Sequence, residues 1–235
     1  MKGVIIAAGY GSRLWNVTNN IPKTLLPFGE GTILSTIINR LQQAGVSSIY
    51  LVVGYNQKYI REYLAKTQFG IPIRIIDNQL WDRGNGISVY QVRAEIDNEP
   101  FILSMSDHIV SVPALELMVQ SEERTNLLLV DPFIKDNFDL DDATKVLVKD
   151  TFIAGIGKEI ENYNALDCGI FRLEPDFFPA VDKAVAEGKE SISAAITELI
   201  LNNRMRTIKL DKPHQWLDID TPEAYQFALQ QNNLI

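Results

Sequence analysis

The chain of 235 residues has one cysteine, Cys168, so no internal disulfide can form. That scarcity fits a reducing compartment, and Cys168 reads as a small buried residue. Long apolar runs are missing too. No stretch approaches the ~20 residues of a membrane span, and the apolar run at the start is too short for a signal peptide and lacks a cleavage pattern. Positive charge is outnumbered, with 22 Lys and Arg against 30 Asp and Glu for a net charge of -8. This acidity argues against nucleic acid or anionic membrane as a partner, although local Arg and Lys can still face a phosphate in a pocket. No repeat or low-complexity tract interrupts the chain. We expect a soluble, cytoplasmic protein. Two phosphate-binding signatures are also absent. No G-x-x-x-x-G-K-[ST] string occurs. Gly9-x-Gly11 begins like a dinucleotide fingerprint, but Leu14 stands at the third glycine position. The strand at 48–53 then ends in Gly54-Tyr55-Asn56, with no carboxylate for a ribose, which excludes an NAD-dependent oxidoreductase.

What is present begins with Val4-Ile5-Ile6-Ala7, a short apolar run bounded by glycines that reads as a buried parallel strand. It empties into Gly9-Tyr10-Gly11-Ser12-Arg13, and Lys23 follows a polar stretch. Glycines let backbone amides approach a phosphate closely, and Arg with Lys neutralises its charge. Such a loop can hold a nucleoside triphosphate.

The first half alternates strand and helix signals. Thr32 can cap a helix with Ile33, Leu34, Ile37, Ile38 and Leu41 on one face, and Gly45 can end it. Strands are predicted at 48–53, 71–76, 101–105 and 126–130, and helices at 57–64, 86–94 and 113–121. This order implies a Rossmann-like α/β fold, a mainly parallel sheet with helices on both faces. In the second half, 144–148 and 152–156 flank Lys149-Asp150-Thr151 as a hairpin. Strands follow at 165–173 and 205–210, and helices at 175–186 and 191–202. The run 215–220 leads into Thr221-Pro222-Glu223, a helix start.

Ligands of such sheets bind beyond the carboxyl ends of the parallel strands. Arg13 and Lys23 follow the first strand, Asp107 follows the strand at 101–105, and Asp218 and Asp220 end the last strand-like run. Two cations and separated carboxylates around one cleft suit a metal-bound triphosphate, since Mg2+ favours one or two carboxylates plus phosphate oxygens. We expect one domain over 1–235. It comprises a nucleotide-binding core (about 1–130), a small β-rich substrate-binding elaboration (about 131–215), and a metal-binding strand end with a C-terminal helix (216–235).

Ala7-Ala8-Gly9-x-Gly11-Ser12-Arg13-Leu14, with Pro22-Lys23-x-Leu25-Leu26-Pro27, resembles the signature of the sugar-phosphate nucleotidyltransferases. Gly84-Asn85-Gly86-Ile87-Ser88, Ser106-Asp107-His108, Thr144-Lys145, Gly157-Lys158, Asp167-Cys168-Gly169 and Trp216-Leu217-Asp218-Ile219-Asp220 follow in that family's order across nearly the whole chain. Asn85-Gly86-x-Ser88, Asp107-His108 and Thr144-Lys145 look most like the CTP:inositol-1-phosphate cytidylyltransferases. Ser106 and Thr24 depart from the pattern, where glycine and proline are commoner. Members of this branch are often fused to a membrane-embedded alcohol phosphotransferase, which has no counterpart in these 235 residues.

By that resemblance, Arg13 and Lys23 are catalytic and bind the triphosphate. Ala7, Ala8, Gly9, Gly11 and Ser12 supply loop contacts, and Asn85, Gly86 and Ser88 sit near the base and ribose. Asp107 holds Mg2+ (or Mn2+) with Asp218 or Asp220. Lys158 and Lys145 meet the phosphate of the second substrate, in a subsite with His108, Asp167 and Gly169. The implied reaction joins a nucleotidyl group to a phosphate monoester and releases pyrophosphate. Such an acceptor is already an anionic nucleophile, so positioning and charge stabilisation matter more than acid-base groups.

CTP with inositol 1-phosphate or a related phosphorylated polyol is the first expectation. A sugar-1-phosphate uridylyl-, guanylyl- or thymidylyltransferase is the second. A non-catalytic nucleotide-binding regulator is the third, and the retained Arg13, Lys23, Asp107 and Asp218 argue against it. Taken singly, these residues have plainer roles. The three aspartates could cap helices, and Lys158 could be a solvated hairpin lysine. His108 could be a hydrogen-bonded structural group, and Trp81 and Trp216 packing residues. His214, Arg204 and Arg206 read as surface.

Overall fold

The computed structural model describes residues 1–14, 21–96, 98–134, 140, 142–213 and 215–231; His214 and the side chain of Ser12 lie outside the described residues. In chain order the strands and helices are β1 (Lys2–Ala7), β2 (Pro27–Phe28), β3 (Gly31–Thr32), α1 (Ile33–Gln43), β4 (Ser48–Val53), α2 (Gln57–Lys66), β5 (Ile73–Asp77), α3 (Asn85–Tyr90), α4 (Arg93–Ile96), β6 (Phe101–Met105), β7 (His108–Val110), α5 (Val112–Val119), β8 (Asn126–Asp131), β9 (Lys145–Lys149), β10 (Phe152–Gly157), β11 (Ala165–Leu173), α6 (Phe177–Ala186), α7 (Ile192–Leu201), β12 (Met205–Lys209), β13 (Trp216–Asp218) and α8 (Pro222–Gln231). Short 3-10 turns at Ser12–Leu14 and Lys23–Leu25 carry Arg13 and Lys23.

The main sheet has the order β5-β4-β1-β6-β11-β8-β12-β10-β9. β5, β4, β1 and β6 are parallel. β11 runs against both β6 and β8, so β8 and its parallel neighbour β12 point the same way as the first four. β10 opposes β12, and β9 opposes β10. The sheet is therefore mainly parallel, as expected, with reversed strands threaded through its second half. Residues 131–215, expected as a small elaboration, contribute β11 to the middle of this sheet and the β9–β10 hairpin to its far edge.

Helices cover both faces, and this dictates the sequence of the strands. Ile5 and Ala7 of β1 face the layer holding Ile33, Leu34, Ile37, Ile38 and Leu41 of α1. Val4 and Ile6 face the opposite layer, with Val89, Ile96, Phe177 and Ile196. A strand buried on both sides has no room for polar alternation, hence the continuous apolar run. Cys168 is buried in the first layer. Thr32 Oγ1 accepts the Ser35 N–H at 3.1 Å, and Ser35 Oγ accepts the Thr32 N–H at 2.8 Å, a reciprocal cap that starts α1. Gly45, at φ +102°, follows its end.

Two expectations are corrected in detail. The helix predicted at 86–94 is broken into α3 and α4. Gln91 Nε2 donates to the Ile87 carbonyl at 3.1 Å, and the Gln91 and Val92 amides donate to carbonyls three residues back. Those bonds tighten the turn and end the α-helical ladder. The last strand-like run forms β13, which pairs with β7 in a ribbon of its own, Asp218 opposite His108, outside the main sheet. Among the described residues, no helix is long and apolar enough to cross a membrane.

Candidate active site

Two adjoining cavities open where β1 and β6 end. The larger, about 350 Å³, is lined by Arg13, His108, Asp142, Lys158, Asp167, Gly169, Trp216, Asp218 and Asp220, among others. The smaller, about 180 Å³, is lined by Ala7, Ala8, Gly9, Thr24, Trp81, Arg83 and Ser88. Gly11, Lys23, Asn85, Met105 and Asp107 border both. Most residues expected from the sequence therefore converge. Gly86 and Lys145 do not line either cavity. Gly86 instead donates its N–H to the Glu190 carbonyl at 2.9 Å, and a Cβ there would lie 2.7 Å from that oxygen, which accounts for the glycine. Lys145 Nζ donates to the Lys158 carbonyl at 2.8 Å.

Lys23 bridges Asp107 Oδ2 and Asp220 Oδ1 where the cavities meet. Arg13 binds Asp220 Oδ2 at 2.9 Å and, through its other terminal nitrogen, Asp142. Asp142 reaches on to Lys158 Nζ at 2.7 Å. Asp142 is absent from the residues expected on sequence grounds. The result is a continuous chain of alternating charge, from Asp107 through Lys23, Asp220, Arg13 and Asp142 to Lys158.

His108 is held on three sides. Its Nδ1 lies 2.8 Å from Asp107 Oδ1 and its Nε2 3.7 Å from Asp218 Oδ2. The Trp216 ring stacks on it, 5.6 Å between centroids at 12°. The indole is fixed in turn by donating its Nε1–H to buried Asp131 at 2.7 Å. From the other side Gly169 approaches at φ +71°, and a Cβ there would come within 2.6 Å of the imidazole. Both the backbone conformation and the space demand glycine. Asp167 Oδ1 accepts the Gly169 N–H at 2.7 Å and steadies this approach.

These contacts set the charge states. Burial opposes charge on Asp107, but Lys23 and then His108 outweigh it and hold the carboxyl well below its usual range. Burial likewise opposes protonation of His108, and Asp218, Asp107 and Asp167 overcome it, raising the imidazole to about 10. Burial pushes Asp218 up to about 7, against the pull of His108. It also lifts Asp167 to about 6, against the Gly169 N–H and His108. Ligand atoms of Asp107, His108 and Asp218 all lie within 4.8 Å of one another. Asp218 Oδ1 is buried with no hydrogen-bond partner. An orphaned carboxylate oxygen beside a second carboxylate is the donor set of a hard divalent cation such as Mg2+, so these residues fit one. Asp220 is committed to Lys23 and Arg13.

Residues 2–136 match the family model described as nucleotidyl transferase. The chain belongs to the nucleotidyl transferase family. A bifunctional IPC transferase and DIPP synthase from Aquifex aeolicus is 32% identical over 96% of this chain and 50% of its own length. The chain thus spans about half the length of this curated relative. A D-glycero-alpha-D-manno-heptose 1-phosphate guanylyltransferase from Campylobacter jejuni is 26% identical over 99% of this chain and 100% of its own. Among solved structures, the inositol-1-phosphate CTP transferase from T. maritima shares the fold at a TM-score of 0.85, with 23% identity over 99% of this chain and 96% of that one. The nucleotidyl transferase fold and its sheet are therefore those expected from the sequence.

Proposed function

We propose that this chain is a divalent-metal-dependent nucleotidyltransferase. It transfers the cytidylyl group of CTP to a small phosphorylated alcohol, inositol 1-phosphate first among them, and releases pyrophosphate. The observation that carries this reading is the set of cations spanning the joined cavities. Lys23 stands at their meeting point with Arg13 beside it and Lys158 on the far wall, each paired with a carboxylate that a phosphate can replace. The names of the A. aeolicus relative and the T. maritima neighbour support CTP and inositol phosphate as the substrates.

The smaller cavity takes the nucleoside, between the glycine loop and Asn85 and Ser88. The larger takes the acceptor, with Lys158 on its phosphate and Asp167 and Gly169 beside its hydroxyls. An acceptor phosphate oxygen attacks the α-phosphorus, a new P–O bond forms, and the bond to the leaving pyrophosphate breaks with its electron pair. Arg13 and Lys23 meet the oxygens on which charge accumulates and so lower the barrier. Asp107 and Asp218 would hold Mg2+ or Mn2+, which when bound adds positive charge against the phosphate oxygens. His108, charged and clamped, orients Asp107 and moves no proton. Lys145 steadies the Lys158 backbone. The single cysteine and these substrates suit the cytoplasm.

A sugar-1-phosphate guanylyltransferase is the second reading, favoured by the full-length match to the heptose 1-phosphate enzyme. Pyrophosphate release from four nucleoside triphosphates against a panel of phosphate monoesters separates the two. CTP with a polyol phosphate is the expected best pair. GTP with an aldose 1-phosphate as the best pair replaces the first reading by the second, and no release with any pair removes both.

A further inference from the structure

Behind the smaller cavity lies a buried amide fixed in one orientation. Asn78 follows β5 and is 1% exposed, and its Oδ1 accepts the Leu80 N–H at 2.9 Å. With that oxygen facing a backbone donor, the Nδ2 is the atom turned to Ser88, and it donates to Ser88 Oγ at 3.0 Å. Ser88 is 5% exposed and lines the cavity alongside Trp81 and Asn85. One lone pair of its hydroxyl is thus committed inward. Among the described residues nothing accepts its proton. A buried polar hydrogen left unpaired is unfavourable. An acceptor can reach it from the cavity.

We propose that Ser88 is a nucleobase-reading donor, aimed by Asn78 at an acceptor atom on the edge of a pyrimidine ring. The inference rests on the reading of the smaller cavity as the nucleoside site of a cytidylyltransferase. On cytosine, O2 and N3 are neighbouring bare acceptors, and either satisfies the Ser88 proton. Uracil keeps the O2 acceptor, but its N3 carries a hydrogen, so a donor facing N3 is paired by cytosine and left unpaired by uracil. Asn78 touches no ligand. It is a positioning residue whose amide keeps the serine proton from turning inward.

Asn78→Asp separates the two roles. A carboxylate keeps the Leu80 contact but cannot donate, so Ser88 turns its proton to Asp and the cavity loses its donor with the serine still present. The experiment is calorimetric binding of Mg-CTP and of Mg-pyrophosphate, which has phosphates but no base. The proteins are the wild type, Ser88→Ala, Asn78→Asp and the double variant, each checked for unaltered thermal unfolding. Each single variant is expected to weaken CTP about tenfold, the scale of one unpaired donor or acceptor. Pyrophosphate binding should stay within about twofold, and the double variant should be no weaker than either single one. CTP bound by Ser88→Ala at wild-type strength overturns the proposal, as does an Asn78→Asp loss that persists in the Ser88→Ala background. Wild type binding CTP no better than pyrophosphate removes the nucleoside site and this inference together. If CTP binding depends on Ser88 but no acceptor turns over, the inference stands and the transferase reading falls.

Discussion

The two walls of the site hold their charges differently. On the wall built from β6, the Lys23 turn and the segment after β13, the Lys23 side chain is 17% exposed between Asp107 at 13% and Asp220 at 17%. On the facing wall Lys158 is 47% exposed, and its partner Asp142 is 30% exposed. Sheltered charges in a low dielectric keep their strength and their geometry, whereas exposed pairs are screened and loosely held. The first wall is preorganised for charge that develops during a reaction. The second suits a ligand that must enter and leave.

The sharpest test of this contrast is Asp107→Asn, which removes charge from the sheltered wall at nearly constant volume. Turnover should fall roughly a thousandfold, the upper range for removing one electrostatic stabiliser, while far-UV circular dichroism stays unchanged. Excess EDTA should abolish activity in wild type as well. Full activity in EDTA would remove the metal from the reading.

Lys23→Ala and Arg13→Ala should each raise the barrier by about 2.7–4 kcal/mol. The two should part in stability. Lys23→Ala leaves two sheltered carboxylates facing each other, and breaking such a pair costs up to about 3 kcal/mol. Arg13, whose side chain is 47% exposed, should change the melting temperature little. Equal melting temperatures for the two variants would erase the distinction between the walls at this point.

Asp167→Asn should trade activity for stability. Burial lifts its carboxyl from 3.8 to about 6 in the folded chain, so the folded state holds the proton more tightly than the unfolded one. The stability this carboxyl contributes is present below pH 4 and is lost as pH rises through 6. At pH 8 the asparagine variant should therefore be more stable by on the order of 1–3 kcal/mol, since each tenfold change in proton affinity is worth about 1.4 kcal/mol. The gain should vanish near pH 4, and a gain independent of pH would assign it to packing instead.

On the exposed wall, Lys158→Ala should raise the acceptor's KM about tenfold, equivalent to about 1.4 kcal/mol, and leave the KM of CTP unchanged. A rise confined to CTP would move Lys158 to the triphosphate.

Much of this architecture was legible because burial on both faces writes itself into sequence. The bounds of β4, β6 and β11 are those expected at 48–53, 101–105 and 165–173. The glycine loop was expected at the end of the first strand, and the structure sets Gly9 and Gly11 against the smaller cavity. β7 was not, because three residues are too few to show a period. Asp142 was hidden among Asp139 and Asp141, a run that reads as a solvated face, and its partner Arg13 is 129 residues away. Asn78 carries no signal at all until the Leu80 N–H fixes which end of its amide faces Ser88. Trp216 was expected as a packing residue, and it does pack, but against the imidazole that orients Asp107.

The ribbon of β7 and β13 sets an order of events during synthesis. Asp107 and His108 leave the ribosome about half a chain before the strand that pairs with them, and β1 to β12 can collapse onto their helices in that interval. Until Trp216, Asp218 and Asp220 have cleared the exit tunnel, His108 has no ring beneath it, Asp107 no second carboxylate, and Lys23 only one of its two anchors. The strand that completes the centre is thus made after every strand of the main sheet. A chain halted before β13 can possess the whole main sheet and still lack the completed centre.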